Sequence, residues 1–327
     1  MKRAFTMAEI LLSLTIIGVV AAITLPSLTG NINERTWNTQ RKALYARFSQ
    51  ALALMPALNG YGTYSGTNTD DIVTATVDTA AETFITDGLS KVLKINNICD
   101  NEHLEDCGIV TSYTNIVGSK NTIPTKLSEL NPTFTSTIRI PNAGGSTNNF
   151  TNPQNYIDTK AVAFETTNGE SIIAFYNPSC QPDMNETKDF YMHPKMCANF
   201  IYDLNGNKGP NTVGKDIGIL TALYPTDPVI VAPMPLIQTV AYENDRTQAE
   251  AGRQCAKLDS GTRLPNKEEL MSMFYNTNLL EMTAGSYWSS TIVAGDATKA
   301  WLIQTTNGMI QRATRSQNAG IKCIKRY

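Results

Sequence analysis

Hydrophobic positions change spacing along the chain. Residues 5–25, FTMAEILLSLTIIGVVAAITL, are apolar almost without a break, and the one charge among them is Glu9. Beyond this run Ile32, Trp37, Leu44, Phe48, Leu52 and Met55 recur at near-helical intervals, with Glu34, Arg35, Arg41, Lys42 and Arg47 between them. The pattern predicts one long helix from Phe5 to Met55, about 75 Å at 1.5 Å per residue, with an amphipathic second half. Its first part is long enough to cross a bilayer core of about 30 Å. Pro26 should kink or locally unwind the helix, because proline removes a backbone donor, and Pro56 with Asn59-Gly60 should end it.

From about Gly60 to Leu223 the period shortens to that of strands and turns. Ala161 to Thr166 and Ser171 to Tyr176 flank Asn168-Gly169, a good hairpin turn. Ala198 to Tyr202 reads as another strand. Thr63 to Asp71 and Asn142 to Asn155, rich in Gly, Asn, Ser and Thr, read as loops. Tyr224 to Leu236 holds Pro225, Pro228, Pro233 and Pro235 and predicts a semi-rigid extended spacer. After it, Asp245 is placed to cap a helix carrying Ala249, Arg253, Cys255 and Leu258. Asn266 with Glu269 three residues on starts a second helix in the manner of a capping box. Trp301 to Thr305 and Gly320 to Ile324 read as short strands.

The chain has 327 residues, 42% of them hydrophobic, enough for folded cores in about two domains. The formal charge is −2, with 27 basic and 29 acidic side chains and no basic stripe, so nucleic-acid binding has no electrostatic support. Full enzyme signatures are missing from the sequence: no Gly-x-x-x-x-Gly-Lys-Ser/Thr phosphate loop, no Gly-x-Ser-x-Gly elbow and no His-Glu-x-x-His pair. Glu268-Glu269 reads as the first turn of a helix, where negative charge is favourable.

A charge within an apolar span costs a few kcal/mol and usually has a partner. Lys2 and Arg3, then Ala4, Phe5, Glu9 and the apolar run resemble the N terminus of the type IV pilin and type II secretion pseudopilin family. That resemblance implies cleavage by a prepilin peptidase between Ala4 and Phe5, methylation of Phe5, and a Glu9 carboxylate that neutralises the amino terminus of a neighbouring subunit during assembly. The family usually has glycine where Ala4 stands; alanine is also small. An ordinary secretory signal ending near Ala22, which leaves Glu9 unexplained, and a plain uncleaved anchor are the rival readings of this stretch. With Lys2 and Arg3 removed, the charge becomes −4, from 25 basic and 29 acidic residues.

Export makes disulfides the default for Cys99, Cys107, Cys180, Cys197, Cys255 and Cys323. Sequence alone allows fifteen connectivities for six cysteines. Their grouping favours Cys99 with Cys107, Cys180 with Cys197, and Cys255 with Cys323. Zinc is a poor reading, since there is no Cys-x-x-Cys and the only histidines are His103 and His193.

Asp203, Asn205, Asn207, Asn211 and Asp216 are interleaved with Gly206, Gly209 and Gly214. They read first as a glycine-rich turn whose polar side chains satisfy backbone groups. The alternative is a calcium site, since these are oxygen donors on a tightly turning loop. The spacing is not that of an EF-hand; it is similar to Asp/Asn/Gly loops near the end of the head in major pseudopilins, some of which hold calcium. No other cofactor is expected.

Cys255, Arg263-Leu264-Pro265, Glu268-Glu269-Leu270, Tyr287 to Thr291, Ala300-Trp301, Asn307-Gly308 and Lys322-Cys323-Ile324 resemble the C-type-lectin-like domain of bacterial surface proteins and of the C termini of collagen-like adhesins. In that fold a bridge joins the first helix to the last strand, which supports Cys255 with Cys323. Thr262 and Lys322 depart from the usual Trp and Arg. The sugar-binding Glu-Pro-Asn and Trp-Asn-Asp signatures do not occur in 237–327. Trp288 and Trp301 read first as core residues and second as a surface for a glycan or protein ligand.

Together these readings predict an α+β chain: a leader over 1–4, a helix over 5–58 with 5–25 in the membrane and filament core, and a globular head over 59–223. A linker over 224–236 and a lectin-like domain over 237–327 follow. In this picture the long helix packs on the antiparallel sheet of a pilin head. The expected function is that of a structural or adhesive filament subunit rather than an enzyme. Its expected partners are other subunits in a helical filament, the prepilin peptidase, the inner-membrane assembly machinery, and a glycan or surface protein. The expected location is the inner membrane as a single-pass precursor, then a periplasmic or extracellular filament or the cell surface. The alternatives are a type II secretion pseudopilin and a membrane-anchored binding protein that does not polymerise.

Overall fold

The computed structural model describes residues 7–58, 80–99, 103–110, 112–114, 120–122, 162–176, 190–192, 196–223, 230–233, 236–238, 246–258, 260–276, 279–280, 282–305 and 309–325. The chain forms two units, Met1–Ala43 and Leu44–Tyr327.

Helix α1 covers Met7–Leu58, through Pro26, and the boundary between the units falls inside it. In the first unit Met7, Leu11, Leu14, Ile16, Ile17, Val19 and Val20 are each more than half exposed. Among the described residues no helix is long and apolar enough to cross a membrane, so the expected single span gains no support here.

The second unit corrects the expected fold class: among the described residues it is mostly antiparallel β, and no long helix packs along a sheet. What α1 contributes is two turns, Leu44, Phe48, Ala51 and Leu52, a face at helical spacing that is buried almost completely. Phe48 meets Phe200 edge-on at 4.9 Å between ring centroids, and Arg47 pairs with the buried carboxylate of Glu170. The other α-helices among the described residues are short: α2 (Ala80–Thr83), α3 (Gln248–Leu258) and α4 (Lys267–Tyr275).

Strands β1 (Ile95–Cys99), β2 (Ser112–Thr114), β3 (Lys120–Thr122), β4 (Val162–Thr166), β5 (Ser171–Tyr176), β6 (Phe190–Met192), β7 (Met196–Asp203), β8 (Ile217–Leu223) and β9 (Ile230–Pro233) come first. Strands β10 (Leu236–Gln238), β11 (Thr262–Arg263), β12 (Ser286–Val293), β13 (Asp296–Gln304), β14 (Met309–Thr314) and β15 (Cys323–Lys325) follow. A six-stranded sheet runs β1-β4-β5-β7-β8-β9, a four-stranded sheet β12-β13-β14-β6, and a three-stranded one β10-β15-β11. The hairpin of β4 and β5 turns at Asn168-Gly169, where Gly169 takes φ +81° and donates to Thr166 O at 2.9 Å.

The Pro-rich stretch read as a spacer carries two strands. Ile230 to Pro233 pair with β8, where proline is tolerated because β9 is the edge of its sheet. Leu236 to Gln238 pair with β15. Strand β6, from the middle of the chain, pairs with β14 near its end. One apolar core accordingly takes Ile173, Ile201 and Ile219 together with Leu270, Phe274, Tyr287, Ile303 and Ile324.

Helix α4 starts with a full capping box: Asn266 accepts from Glu269 N, and Glu269 accepts from Asn266 N. For α3 the capping residue is Thr247, whose backbone and hydroxyl both donate to Glu250 Oε2 at 3.1 and 2.8 Å. These bonds, the hydroxyl's first, hold the Glu250 pKa below its ordinary value. Asp245, the cap expected from the sequence, lies outside the described residues.

Candidate cation loop

Strands β7 and β8 are neighbours, and the pairing of Asp203 with Ile217 closes the loop between them. The chain reverses through Gly206, Gly209 and Gly214, all at positive φ, and through Asn211 at φ 51°. Asn is among the few non-glycine residues that tolerate this left-handed conformation. The Asp216 side chain is fully buried and organises the turn, accepting from Asn211 N at 2.8 Å and Thr212 N at 2.7 Å. Leu204 N donates to Asp216 O at 3.0 Å. Much of the loop is therefore the self-satisfied turn expected first.

Three oxygens are not accounted for in that way. Asp203 Oδ1 accepts from Asn205 N at 3.1 Å, while its Oδ2 is buried without a hydrogen-bond partner. Asn205 Nδ2 donates to Gly209 O at 2.6 Å, which fixes the amide and leaves Oδ1 buried and unpartnered. Asn211 Oδ1 is in the same state. Buried polar atoms ordinarily find partners, and one left without costs about 1–3 kcal/mol. Three such atoms, all acceptors, lie on one short loop, where a donor or a cation would satisfy them.

Asp203 shows the same need in its titration. Asp203 is only 6% exposed, and its pKa is pushed up to about 7, chiefly by burial and further by the Asp216 carboxylate, against the backbone N–H groups of Asn205 and Gly206. Among the described residues no group of three or more His, Cys, Asp or Glu could hold a metal. A cation here would depend on amide oxygens beside the carboxylates, a donor set that suits a hard ion such as calcium.

The other residues singled out from the sequence are placed as follows. Ala4 and Phe5 are outside the described residues; Glu9 and Pro26 sit in α1, but their side chains are not described. Cys99–Cys107 and Cys255–Cys323 are bridged, with Cα separations of 6.0 and 5.4 Å. Cys180 and the side chain of Cys197 lie outside the described residues.

Neither tryptophan offers a free stacking face. Trp288 is fully buried, with Nε1 donating to Arg246 O at 2.9 Å. Trp301 is 8% exposed and covered by two cations, Lys267 Nζ at 5.5 Å and Arg312 Cζ at 5.0 Å from the ring centroid.

Sequence reasoning missed what surrounds the cation loop. Gly108, next to the Cys99–Cys107 bridge, and Thr114 on β2 both touch it, and no local pattern announces contacts between segments about a hundred residues apart. Compared with known proteins, the chain matches no family model and no curated sequence.

Proposed function

We propose that this chain is a structural subunit of a type IV pilus-like filament, processed before Phe5 and exported, with a head stabilised by calcium. The observation that supports assembly most directly is the run of apolar side chains from Met7 to Val20, each of Met7, Leu11, Leu14, Ile16, Ile17, Val19 and Val20 more than half exposed. Exposed apolar side chains in such number on one helix call for a cover. Equivalent helices of neighbouring copies supply one, and the Glu9 carboxylate, inside the same run, sets their register by pairing with a neighbour's N terminus. The precursor resides in the inner membrane in this reading, and the lectin-like C-terminal part is displayed as an integral portion of the head.

Calcium enters through Asp203, Asn205 and Asn211, whose buried oxygens lack partners, with Asp216 supplying a second negative charge. Six to eight oxygens ordinarily surround calcium, so backbone carbonyls and water complete the set. The ion supplies charge neutralisation and cross-linking of the loop, not catalysis.

Mass spectrometry of the N-terminal peptide, from sheared filaments and from membranes, tests the assembly reading. A chain beginning at methylated Phe5 in the filament fraction is expected. An intact leader, or a cut near Ala22, would leave an anchored or secreted binding protein instead.

A further inference from the structure

We propose that the segment tied by the Cys99–Cys107 bridge is the second wall of the cation loop and sets its affinity for calcium; this rests on the calcium reading above. The bridge ties the end of β1 to the helical turn Leu104–Cys107, and both cysteines are buried. The residue immediately after it, Gly108, takes φ +66° and lies against Gly206, which follows the donor Asn205. A Cβ built on Gly108 would stand 2.7 Å from Ser171 Oγ and 3.7 Å from Gly206 Cα; one on Gly206 would stand 3.1 Å from the same hydroxyl and 3.6 Å from Gly108 O. The two backbones approach closely at glycine, with the buried Ser171 hydroxyl between them.

The same segment then holds the loop at a second point. Thr114 N donates to Asn211 O at 2.7 Å, and Val213 N donates to Thr114 O at 2.9 Å. Gly108 and Thr114 therefore hold the loop beside Asn205 and at Asn211, the two amide donors. The segment is anchored by the bridge and by Asn97 Nδ2, which donates to Asp106 O at 3.3 Å. Donors held in place before the ion arrives avoid an ordering cost on binding, and groups that orient metal ligands commonly change affinity by about 10–100-fold when lost. Cys99 and Cys107 are positioning residues in this scheme.

The test is calorimetric titration of calcium chloride into the full chain in detergent, with thermal melts with and without calcium. Cys99→Ala/Cys107→Ala and, separately, Thr114→Pro are compared with the parent chain. We expect the parent to bind, both variants to bind about tenfold or more weakly, and the calcium-induced rise in Tm to shrink. A variant that melts lower without calcium but keeps the parent's affinity and the same calcium-induced rise would show a merely structural role and overturn the proposal. Should the cysteine variant fail to fold, Thr114→Pro decides by the same criterion, since it removes one donor and leaves the bridge. A parent chain giving neither heat nor a Tm shift would overturn the calcium reading, and this inference with it.

Discussion

Asn199 on β7 and Asn276 at the end of α4 exchange two amide hydrogen bonds, Nδ2 to Oδ1, at 2.9 and 3.1 Å, and both side chains are buried. Thr221 Oγ1 adds a bond to Asn199 Oδ1 and one shared with Ser272 Oγ, each at 2.8 Å, and Asn276 Nδ2 also reaches Ser272 O at 2.8 Å. Every member lies between the six-stranded sheet and α4. The head and the C-terminal portion, read from the sequence as separate domains, are joined there by a satisfied polar network set in a common apolar core. Such a network permits one alignment of the two surfaces, because sliding by one residue leaves its members unpaired.

Asn276→Ala should destabilise the chain by about 1–3 kcal/mol, since Asn199 is left buried with amide groups unsatisfied. Urea unfolding of the full chain is expected to keep one transition spanning the second unit, shifted to lower urea. If the head and residues 237–327 unfolded independently, the substitution would move one of two transitions and leave the other in place.

Bridge Cys255–Cys323 closes a loop of 68 residues and Cys99–Cys107 a loop of 8. By the chain-entropy relation their removal should cost about 4 and about 2.5 kcal/mol respectively. Paired Cys→Ala variants melted under identical conditions should therefore rank in that order. An inverted order would mean that the short bridge has a role beyond chain closure, as its place beside the cation loop suggests.

Glu269 ties α4 to β11. Its Oε2 accepts from Asn266 N at 2.7 Å and Arg263 Nη1 at 2.8 Å, and its Oε1 accepts from Arg263 Nη2 at 2.7 Å. Glu269→Ala removes cap and ion pair together and should cost about 1–3 kcal/mol, the lower part of the range reflecting the partial exposure of Arg263. Glu269→Gln retains an acceptor for Asn266 N and should recover part of the loss. Equal destabilisation by the two would assign the effect to charge alone.

The features legible in the sequence were those decided within a few residues. The turn at Asn168-Gly169 needs a residue content that glycine provides, and the box at Asn266 and Glu269 is a spacing of three. Long-range relations were not legible. Nothing in Phe190 to Met192 says that this short strand closes a sheet built from residues 286–314, and the prolines from 225 to 235, which suggested an extended spacer, do not forbid edge pairing. The fold class differs from the expected one for a related reason: the helical period of Leu44, Phe48 and Leu52 suggests a whole packed helix, whereas the buried apolar face among the described residues of α1 is confined to those two turns. At the cation loop the sequence offered the donors but not their states. Asp203, Asn205 and Asn211 could be picked out, while the satisfaction of Asp216 and the orphaned oxygens depend on the turn's backbone path.

If subunits assemble through the apolar stretch, Glu9→Ala should leave the cellular amount of chain unchanged and lower its recovery in sheared filaments about tenfold or more, because an uncompensated N-terminal charge is left among apolar helices. Quantitative blotting of filament and cell fractions checks this. Equal recovery would remove Glu9 from the assembly mechanism.

Burial, and to a smaller extent Asp216, raises the pKa of Asp203 from an ordinary 3.8 to about 7. In the calcium-free chain the folded state holds this proton more tightly than the unfolded state does. The group's contribution to stability is therefore fully present below pH 3.8, declines above it, and is lost as pH rises through about 7. Calcium-free stability, measured by urea unfolding, should fall between pH 5 and pH 8 by an amount on the order of a few kcal/mol, and Asp203→Asn should flatten that slope. Saturating calcium should reverse the preference, because the ion favours the carboxylate; binding below pH 7 should then release a proton and weaken as the solution is acidified. Calorimetry in two buffers of different ionisation enthalpy reads that proton directly. Calcium binding with no proton release at pH 6 would place the ion away from Asp203, whereas release that disappears in Asp203→Asn would assign the carboxylate to the ion.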